Sequence, residues 1–579
     1  MLTATASSMI TRVQQLFTMD VTRLHTVIGR RYARRPLWNL QEPMEYEGCA
    51  SAVLTGAQIR DLGYRIGHVL TAHGVGTNDR VVVAKSNHPD YLLYLHAIIA
   101  IGGIPVSVNA GAGWERICAI AERVGARFLI TDEATLPDPA DERLSSLIRR
   151  GVTVLIVGHA ARRRAAAHAG DGSVHHIVDE VNNAPAVPPR RRRIAADTPV
   201  AMFHTSGTTG VPKCCLWTKR NAHRVWKTMM PTLPMGPGSR PLMATPFSHA
   251  QFFAFGTGAL LAGAPTYMMS RFDPVECLRT IERERVTHMV AFPYVYMRMT
   301  GEDLGSHDLS SMRLWVTGAD KAHAAHIAKL IKHGSLRLRP WGPKGSAFVD
   351  TYGSTEIGRG GIAHIWLPGS TPEPCVQGKP MRTQFGMRIV DEQWQDVPRQ
   401  QEGRILVRST THFDGYWNDH DTWADYRIDG WWWGGDVGLI DARGRLLFLD
   451  READSVRTPQ GVIRTLPVEE ELLSHPEAME ATVFQRTTDQ GTRQGEAVAW
   501  VVPRGILTAD DLGDRERWQT LEGELRELAA HAVGPGKSVA EIRIVPLADV
   551  PFGVTGKVLK RSLRERADAQ LAVAGVRLS

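Results

Sequence analysis

Disulfide spacing, long apolar runs and strong charge of one sign are all scarce in this chain, and each scarcity removes a class of protein. Six cysteines are spread through 579 residues. None is spaced as CxxC, and the neighbours Cys214 and Cys215 are poorly placed to bridge each other, so a disulfide framework is excluded and a reducing, cytoplasmic setting is expected. The formal net charge of +7 is small for this length. It argues for no nucleic acid partner and suits small anionic molecules such as nucleotides. The one dense basic block, 190–193, follows two prolines without apolar periodicity and reads as a solvated loop. Residues 1–12 lack a basic region leading into a sustained apolar one, so no signal peptide is expected. The most apolar window, 91–108, is broken by His96, Gly102, Gly103 and Pro105. It reads as a buried helix running into a strand, and no membrane span is expected.

What is present is an alternation of periods. Helical spacing over 53–74 leads to a strand over 81–84, a helix over 91–101, a strand over 104–108, a helix over 115–124 and strands over 126–131 and 152–157. This order predicts a mainly parallel sheet flanked by helices, with ligands at the carboxyl ends of the strands. Residues 159–198, rich in Arg, Ala, Pro and Asp, read as an exposed, irregular excursion. Further on come a helix over 219–230, strands over 287–292 and 314–317 with a helix over 295–299 between them, and a β-rich stretch over 387–441. His323, His326 and His333 look superficially metal-like, but no carboxylate or Cys joins them at matching spacing, so a solvated helix face is expected. The chain turns polar near Asp450 and Arg451. The length demands more than one core, and the predicted division is 1–449 and 450–579, with helices over 468–473, 521–532 and 561–567 in the second part.

Small and hydroxylated residues are concentrated at one place. Thr205, Ser206, Gly207, Thr208, Thr209 and Gly210 follow the apolar run 200–203, and Val211, Pro212 and Lys213 close the loop. The glycines can turn successive N–H groups toward an anion, the hydroxyls add neutral donors and Lys213 a point charge, so the loop should hold phosphate. A polar turn between two strands is the weaker alternative. In 348–356, Tyr352 is placed to lie beside a base, Thr355 on a phosphate oxygen and Glu356 on Mg2+, although such a turn is common by itself. Asp436, after Gly434 and Gly435, reads equally as an acceptor for ribose hydroxyls and as a turn residue. Lys557, between Gly556 and a helix, reads locally as a surface lysine.

Together, in this order and spacing, the segments Ser206 to Lys213, Tyr352 to Glu356, Gly435-Asp436, Arg451 and Thr555-Gly556-Lys557 resemble the acyl-adenylate-forming superfamily of acyl-CoA synthetases, nonribosomal peptide adenylation domains and beetle luciferases. The resemblance covers about residues 45–568. It implies an α/β fold, a large N-terminal domain of two doubly wound sheets plus a distorted β-barrel, with a small mobile C-terminal α+β domain. It implies ATP and Mg2+ and two half-reactions. A carboxylic acid attacks the α-phosphate and expels pyrophosphate, and a thiol, most simply that of coenzyme A, then takes the acyl group; a separate carrier protein is the alternative acceptor. By the same resemblance, Thr205 to Gly210 with Lys213 hold the β- and γ-phosphates, Thr355 the α-phosphate and Glu356 the magnesium. Gly318, Ala319 and Tyr352 frame adenine, Asp436 and Arg451 bind ribose, His249 gates the acyl pocket and Lys557 acts on the bond that forms.

The chain also departs from that pattern. Gly434 stands where a threonine is usual, Ala453 occupies the apparent hinge, and Thr458 to Gly461 replaces a more glycine-rich segment that helps admit the thiol donor, which leaves a binding protein without turnover as a third possibility. Between Phe247 and Met269 there is no carboxylate to pair a substrate ammonium group, so an acid with an uncharged tail is expected. Phe252, Phe253, Phe255, Phe292, Tyr294 and Tyr296 either line an apolar pocket or pack the core.

Overall fold

The computed structural model describes residues 20–49, 51–138, 141–158, 172–190, 192–205, 212–229, 235–336, 341–358, 361–380, 385–487 and 494–567. Among these residues the first sheet runs, in spatial order, through Val174–His176, Thr153–Val157, Phe128–Asp132, Arg80–Lys85, Ile104–Asn109, Pro199–His204 and Cys214–Thr218. All neighbours pair in parallel except the last, which returns antiparallel along Pro199–His204. Val81, Val82 and Val83 in one central strand are fully buried, as expected where helices cover both faces of a parallel sheet. The helix expected over 53–74 spans Gly56–Ala72. Thr55 caps it by accepting from the Gln58 N–H while the Gln58 side chain accepts from the Thr55 N–H. That reciprocal cap satisfies two orphan donors and leaves Val53–Thr55 free to pair with Pro36–Leu40.

The second sheet begins as parallel strands Thr266–Met268, Pro241–Ala244, His288–Ala291, Leu314–Thr317 and Ala347–Tyr352. Two antiparallel strands, Ile362–Trp366 and Val376–Pro380, then carry the hydrogen-bonded path into Leu446–Arg451, Trp431–Ile440, Gly403–Ser409 and Phe385–Val390. The second wound sheet and the barrel strands are therefore one ladder. A smaller α+β unit follows, with the strands Ala478–Thr487, Gly495–Pro503 and Val539–Ile544 under the helices Thr465–Leu472 and Arg515–Val533. It has a core of its own around Val468, Val483, Val501 and Leu525. The α/β architecture expected from the sequence is borne out.

Two expectations are corrected. The stretch 159–198 is not wholly an irregular excursion. Residues 159–171 lie outside the described residues, but Val174–His176 adds an edge strand and Val178–Asn183 a short helix, seated by the buried Ile177, Val178 and Val181. Three apolar residues are too few to show a period among so many polar ones. His323 and His326 do not face solvent either. His326 is 2% exposed and donates from Nε2 to the Met479 carbonyl, 2.9 Å away, while His323 Nδ1 lies 3.5 Å from a carboxylate oxygen of Glu470. Both partners come from the C-terminal unit, so no spacing rule along the helix could reveal them. All six cysteines are buried and free, and no helix among the described residues is long and apolar enough to cross a membrane.

Candidate active site

The site lies where Leu314–Thr317 and Ala347–Tyr352 end side by side, with Thr317 opposite Asp350. Just past the first strand, a Cβ at Gly318 would meet the Thr351 hydroxyl at 2.8 Å, and Ala319 takes a φ of +70°. The chain is pinned beyond them by Lys321, whose ammonium donates to Asp350 at 2.6 Å with both side chains buried. Burial disfavours that ammonium, but the Asp350 charge outweighs it and its pKa is raised. Asp320, next to Lys321, is exposed.

Tyr352 donates its hydroxyl proton to Asp436 Oδ2 at 2.7 Å. Asp436 lies within the strand Trp431–Ile440, directly across from Arg451, which removes the turn reading left open by the sequence. Its Oδ1 is buried, makes no hydrogen bond and lies 3.5 Å from Arg451 Nε. Burial, partly offset by Arg451, raises its pKa. An orphaned buried acceptor of this kind fits a hydroxyl donor such as a ribose.

Glu356 Oε1 accepts from the Tyr416 hydroxyl at 2.8 Å. Lys213 Nζ sits 4.8 Å from the ring centroid of Tyr426 and 5.2 Å from that of Tyr416. The Thr355 carbonyl accepts from the Trp217 indole at 3.2 Å. Thr205 N–H donates to the Lys213 carbonyl at 2.9 Å, closing the two strands on each other. Ser206, Gly207, Thr208, Thr209 and Gly210 lie outside the described residues. Glu356 is the carboxylate beside Tyr416 and Lys213, and no cluster of three or more His, Cys, Asp or Glu suited to a metal occurs among the described residues. That fits magnesium held mainly by substrate phosphates and poorly fits a cation needing a protein cage.

Lys557 enters from the C-terminal unit, with Nζ 3.7 Å from Asp320 Oδ1. Its turn is pressed onto Tyr294: a Cβ on Gly556, at a φ of +74°, would fall 2.4 Å from the Tyr294 Cβ, and the Tyr294 ring packs 4.8 Å from that of Phe552. His249 caps the helix Ala250–Ala262 by accepting from the Gln251 N–H through Nδ1 and meets Phe292 edge-on at 4.9 Å. Burial, then the neighbouring His204 and Lys557, lowers its pKa to about 3. It is therefore a neutral imidazole at neutral pH, and with Nδ1 accepting, the proton sits on Nε2. Ala453 offers its carbonyl to Arg564 at 3.2 Å.

Most of the six aromatics proposed for an apolar pocket pack the core. Phe253 lies parallel to His96 at 5.1 Å and contacts Phe203 and Trp226, and Tyr296 donates to the Val316 carbonyl at 2.9 Å. Four residues of the site were missed: His204, Asp320, Tyr416 and Tyr426. Asp320 and His204 stood beside residues already singled out, Ala319 and Thr205; Tyr416 and Tyr426 are brought in by tertiary packing.

Comparison with known proteins agrees with this geometry. The model of the AMP-binding enzyme family matches residues 46–417, and the chain belongs to that family. It is similar to a 3-aminoavenalumate diazotase of a Streptomyces species, 31% identical over 86% of each chain, and to the 3-amino-2-hydroxy-4-methoxybenzoate diazotase of Streptomyces cremeus, 26% identical over 90% of this chain and 91% of the relative. A feruloyl-CoA synthase of an Amycolatopsis species is 27% identical over 89% of this chain and 94% of its own. Among solved structures, the anthranilate CoA ligase AuaEII in complex with anthranoyl-AMP superposes with a TM-score of 0.77 at 19% identity, over 96% of this chain and all of that one. The protein is an adenylate-forming enzyme.

Proposed function

We propose that this enzyme activates a carboxylic acid as its acyl-adenylate and passes the acyl group to a thiol, that of coenzyme A. The observation that carries the reading is the lysine of the last turn, Lys557, standing in the same cleft as Asp436, Tyr352 and Asp320. Asp436 and Arg451 take the ribose, Tyr352 with Gly318 and Ala319 the base, and Lys213 the departing phosphates with Thr205 to Gly210. Thr355 faces the α-phosphate. Glu356 holds the magnesium, which when bound neutralises phosphate charge. A carboxylate oxygen bonds to the α-phosphorus as the bond to the β-phosphate oxygen breaks, and Lys557 offsets the negative charge gathered between acid and phosphate. In the second step the thiol sulfur bonds to the acyl carbon, its proton leaves and AMP departs. Residues 450–579 form the unit that rotates between the steps about Ala453, and a separate carrier protein is the alternative acceptor.

A second reading is favoured by the two relatives named as diazotases of aromatic amino acids. Nitrite presents two oxygens on one central atom as a carboxylate does. Adenylated on one oxygen, it would offer nitrogen to an aromatic amine. The N–N bond forms, AMP leaves, the amine loses a proton, and loss of hydroxide from the nitrosamine gives the diazonium. No nucleophilic side chain is needed in either reading.

The test is exchange of labelled pyrophosphate into ATP with a panel of aromatic and aliphatic acids and with nitrite, followed by product analysis with coenzyme A, a carrier protein or an aromatic amine. Acid-dependent exchange with a thioester product supports the first reading. Nitrite-dependent exchange with a diazonium product supports the second, and exchange with none of them contradicts both.

A further inference from the structure

Tyr416 lies at the junction of the two groups assigned to the pyrophosphate end of the site. Its hydroxyl donates to Glu356 Oε1 at 2.8 Å, and its ring lies under the Lys213 ammonium, 5.2 Å from Nζ. It is 5% exposed. The backbone fixes this placement on both sides. Phe413 N–H donates to the Glu356 carbonyl at 2.8 Å, Thr411 Oγ1 to the Ile357 carbonyl at 2.9 Å and Trp417 N–H to the Cys214 carbonyl at 2.9 Å, with Cys215 and Tyr416 forming a bridge. A Cβ on Gly358 would meet the Thr411 carbonyl oxygen at 2.2 Å, so the segment following Glu356 is in close backbone contact with 411. Tyr426 closes the other side of Lys213, 4.8 Å from Nζ, and Trp432 backs both tyrosines at 6.1 and 5.5 Å.

We propose that Tyr416 is a positioning residue that ties the metal-facing carboxylate of Glu356 to the phosphate-facing ammonium of Lys213, so that the metal and the β- and γ-phosphates meet one preset geometry. The phenol proton is donated to one carboxylate oxygen, which leaves the other oxygen for the metal and holds the carboxylate away from Lys213. The ring holds Lys213 by its face without consuming any of the three ammonium donors, which stay available to phosphate oxygens. This rests on the reading of Glu356 and Lys213 given above.

The experiment uses the full chain with a non-hydrolysable α,β-methylene analogue of ATP, so that no turnover enters the readout. Mn2+ binding is followed by electron paramagnetic resonance and analogue binding by calorimetry, with and without metal. Tyr416→Phe keeps the ring and removes the hydrogen bond to a charged group; the expected result is a rise of about tenfold or more in the Mn2+ concentration for half-saturation, with metal-free analogue binding and thermal unfolding close to wild type. Tyr426→Leu removes one face of the cage, and analogue affinity should fall about two- to fivefold with and without metal, while Mn2+ half-saturation stays put. Glu356→Gln separates the two layers of the claim. If it weakens Mn2+ binding and Tyr416→Phe does not, the positioning role is overturned and the Glu356 reading stands; if neither weakens it, both are overturned.

Discussion

The phenol of Tyr352 donates to Asp436 Oδ2 at 2.7 Å, across 84 residues of sequence. The two side chains belong to different parts of one continuous sheet, and under the proposed function their contact would hold the base side and the sugar side of the nucleotide site at a fixed distance. Asp436→Ala removes both the acceptor left open at Oδ1 and the partner of Arg451. The expected outcome is a KM for ATP raised about tenfold or more, since a lost hydrogen bond to a charged group is worth about 1.5–3 kcal/mol. Tyr352→Phe, which keeps the ring, should raise it less. Steady-state exchange kinetics at varied ATP check this.

Gly556 tests the placement of the last turn. Its φ is +74° and an added Cβ would overlap Tyr294, so Gly556→Ala must displace the turn that carries Lys557. Adenylation should fall at least tenfold, by analogy with the sensitivity of charge-stabilised steps to small misplacements, while the thermal unfolding temperature changes little, because the turn is outside the two main cores. Unchanged exchange would mean that Lys557 is not held through this contact.

His323 makes one face of the contact between the units pH-sensitive. Burial works against its charge, but the Glu470 carboxylate 3.5 Å away outweighs it and raises the pKa to about 9; Glu470 is lowered in return. His326, Glu469, Glu480 and Lys321 face the same cluster. Because the folded pKa is above the ordinary histidine value, the stabilisation is complete below about pH 6.5 and is lost as pH rises through about 9. Glu480, pushed up to about 7 by burial, becomes costlier to hold as pH rises toward 7, below the range in which His323 is lost. The melting temperature should therefore fall more steeply between pH 7 and 9.5 in wild type than in Glu470→Gln, and parallel slopes would contradict the pairing.

Phe253 is fully buried among His96, Phe203, Trp217 and Trp226. Phe253→Ala should destabilise the fold by about 3–5 kcal/mol, read as a lower denaturant midpoint, and should leave the order of preference among acids unchanged. A switch in that order with an unchanged midpoint would place Phe253 in the substrate pocket instead.

Legibility in the sequence followed the range of the forces involved. Strands such as Arg80–Lys85 and Leu314–Thr317, whose burial is written as local apolar runs, fell where expected to within a residue. Tyr352, Thr355 and Glu356 stand out in the sequence because their proposed chemistry depends on short spacing along the chain. Asp436 was ambiguous because its strand and its partner Arg451 come together only across a sheet. Tyr416 and Tyr426 gave no signal: an aromatic beside a lysine is defined by distance in space, and neither residue stands out in its own segment. The burial of His326 likewise depends on Met479, which belongs to the other unit. The strand Cys214–Thr218 was legible in the sequence only within the weaker alternative of a turn between two strands, because its pairing with the antiparallel partner Pro199–His204 is fixed by the sheet and by no apolar period of its own.

The most direct measurement separates the two half-reactions in Lys557→Ala. Acid-dependent pyrophosphate exchange reports formation of the adenylate, and single-turnover transfer from chemically supplied acyl-adenylate to coenzyme A reports the second step. The account predicts exchange reduced by about a hundredfold or more, as for loss of a charge that stabilises a transition state, with transfer within a few-fold of wild type. Equal losses in the two steps, or exchange that survives intact, would contradict the assignment of Lys557 to the bond-forming step.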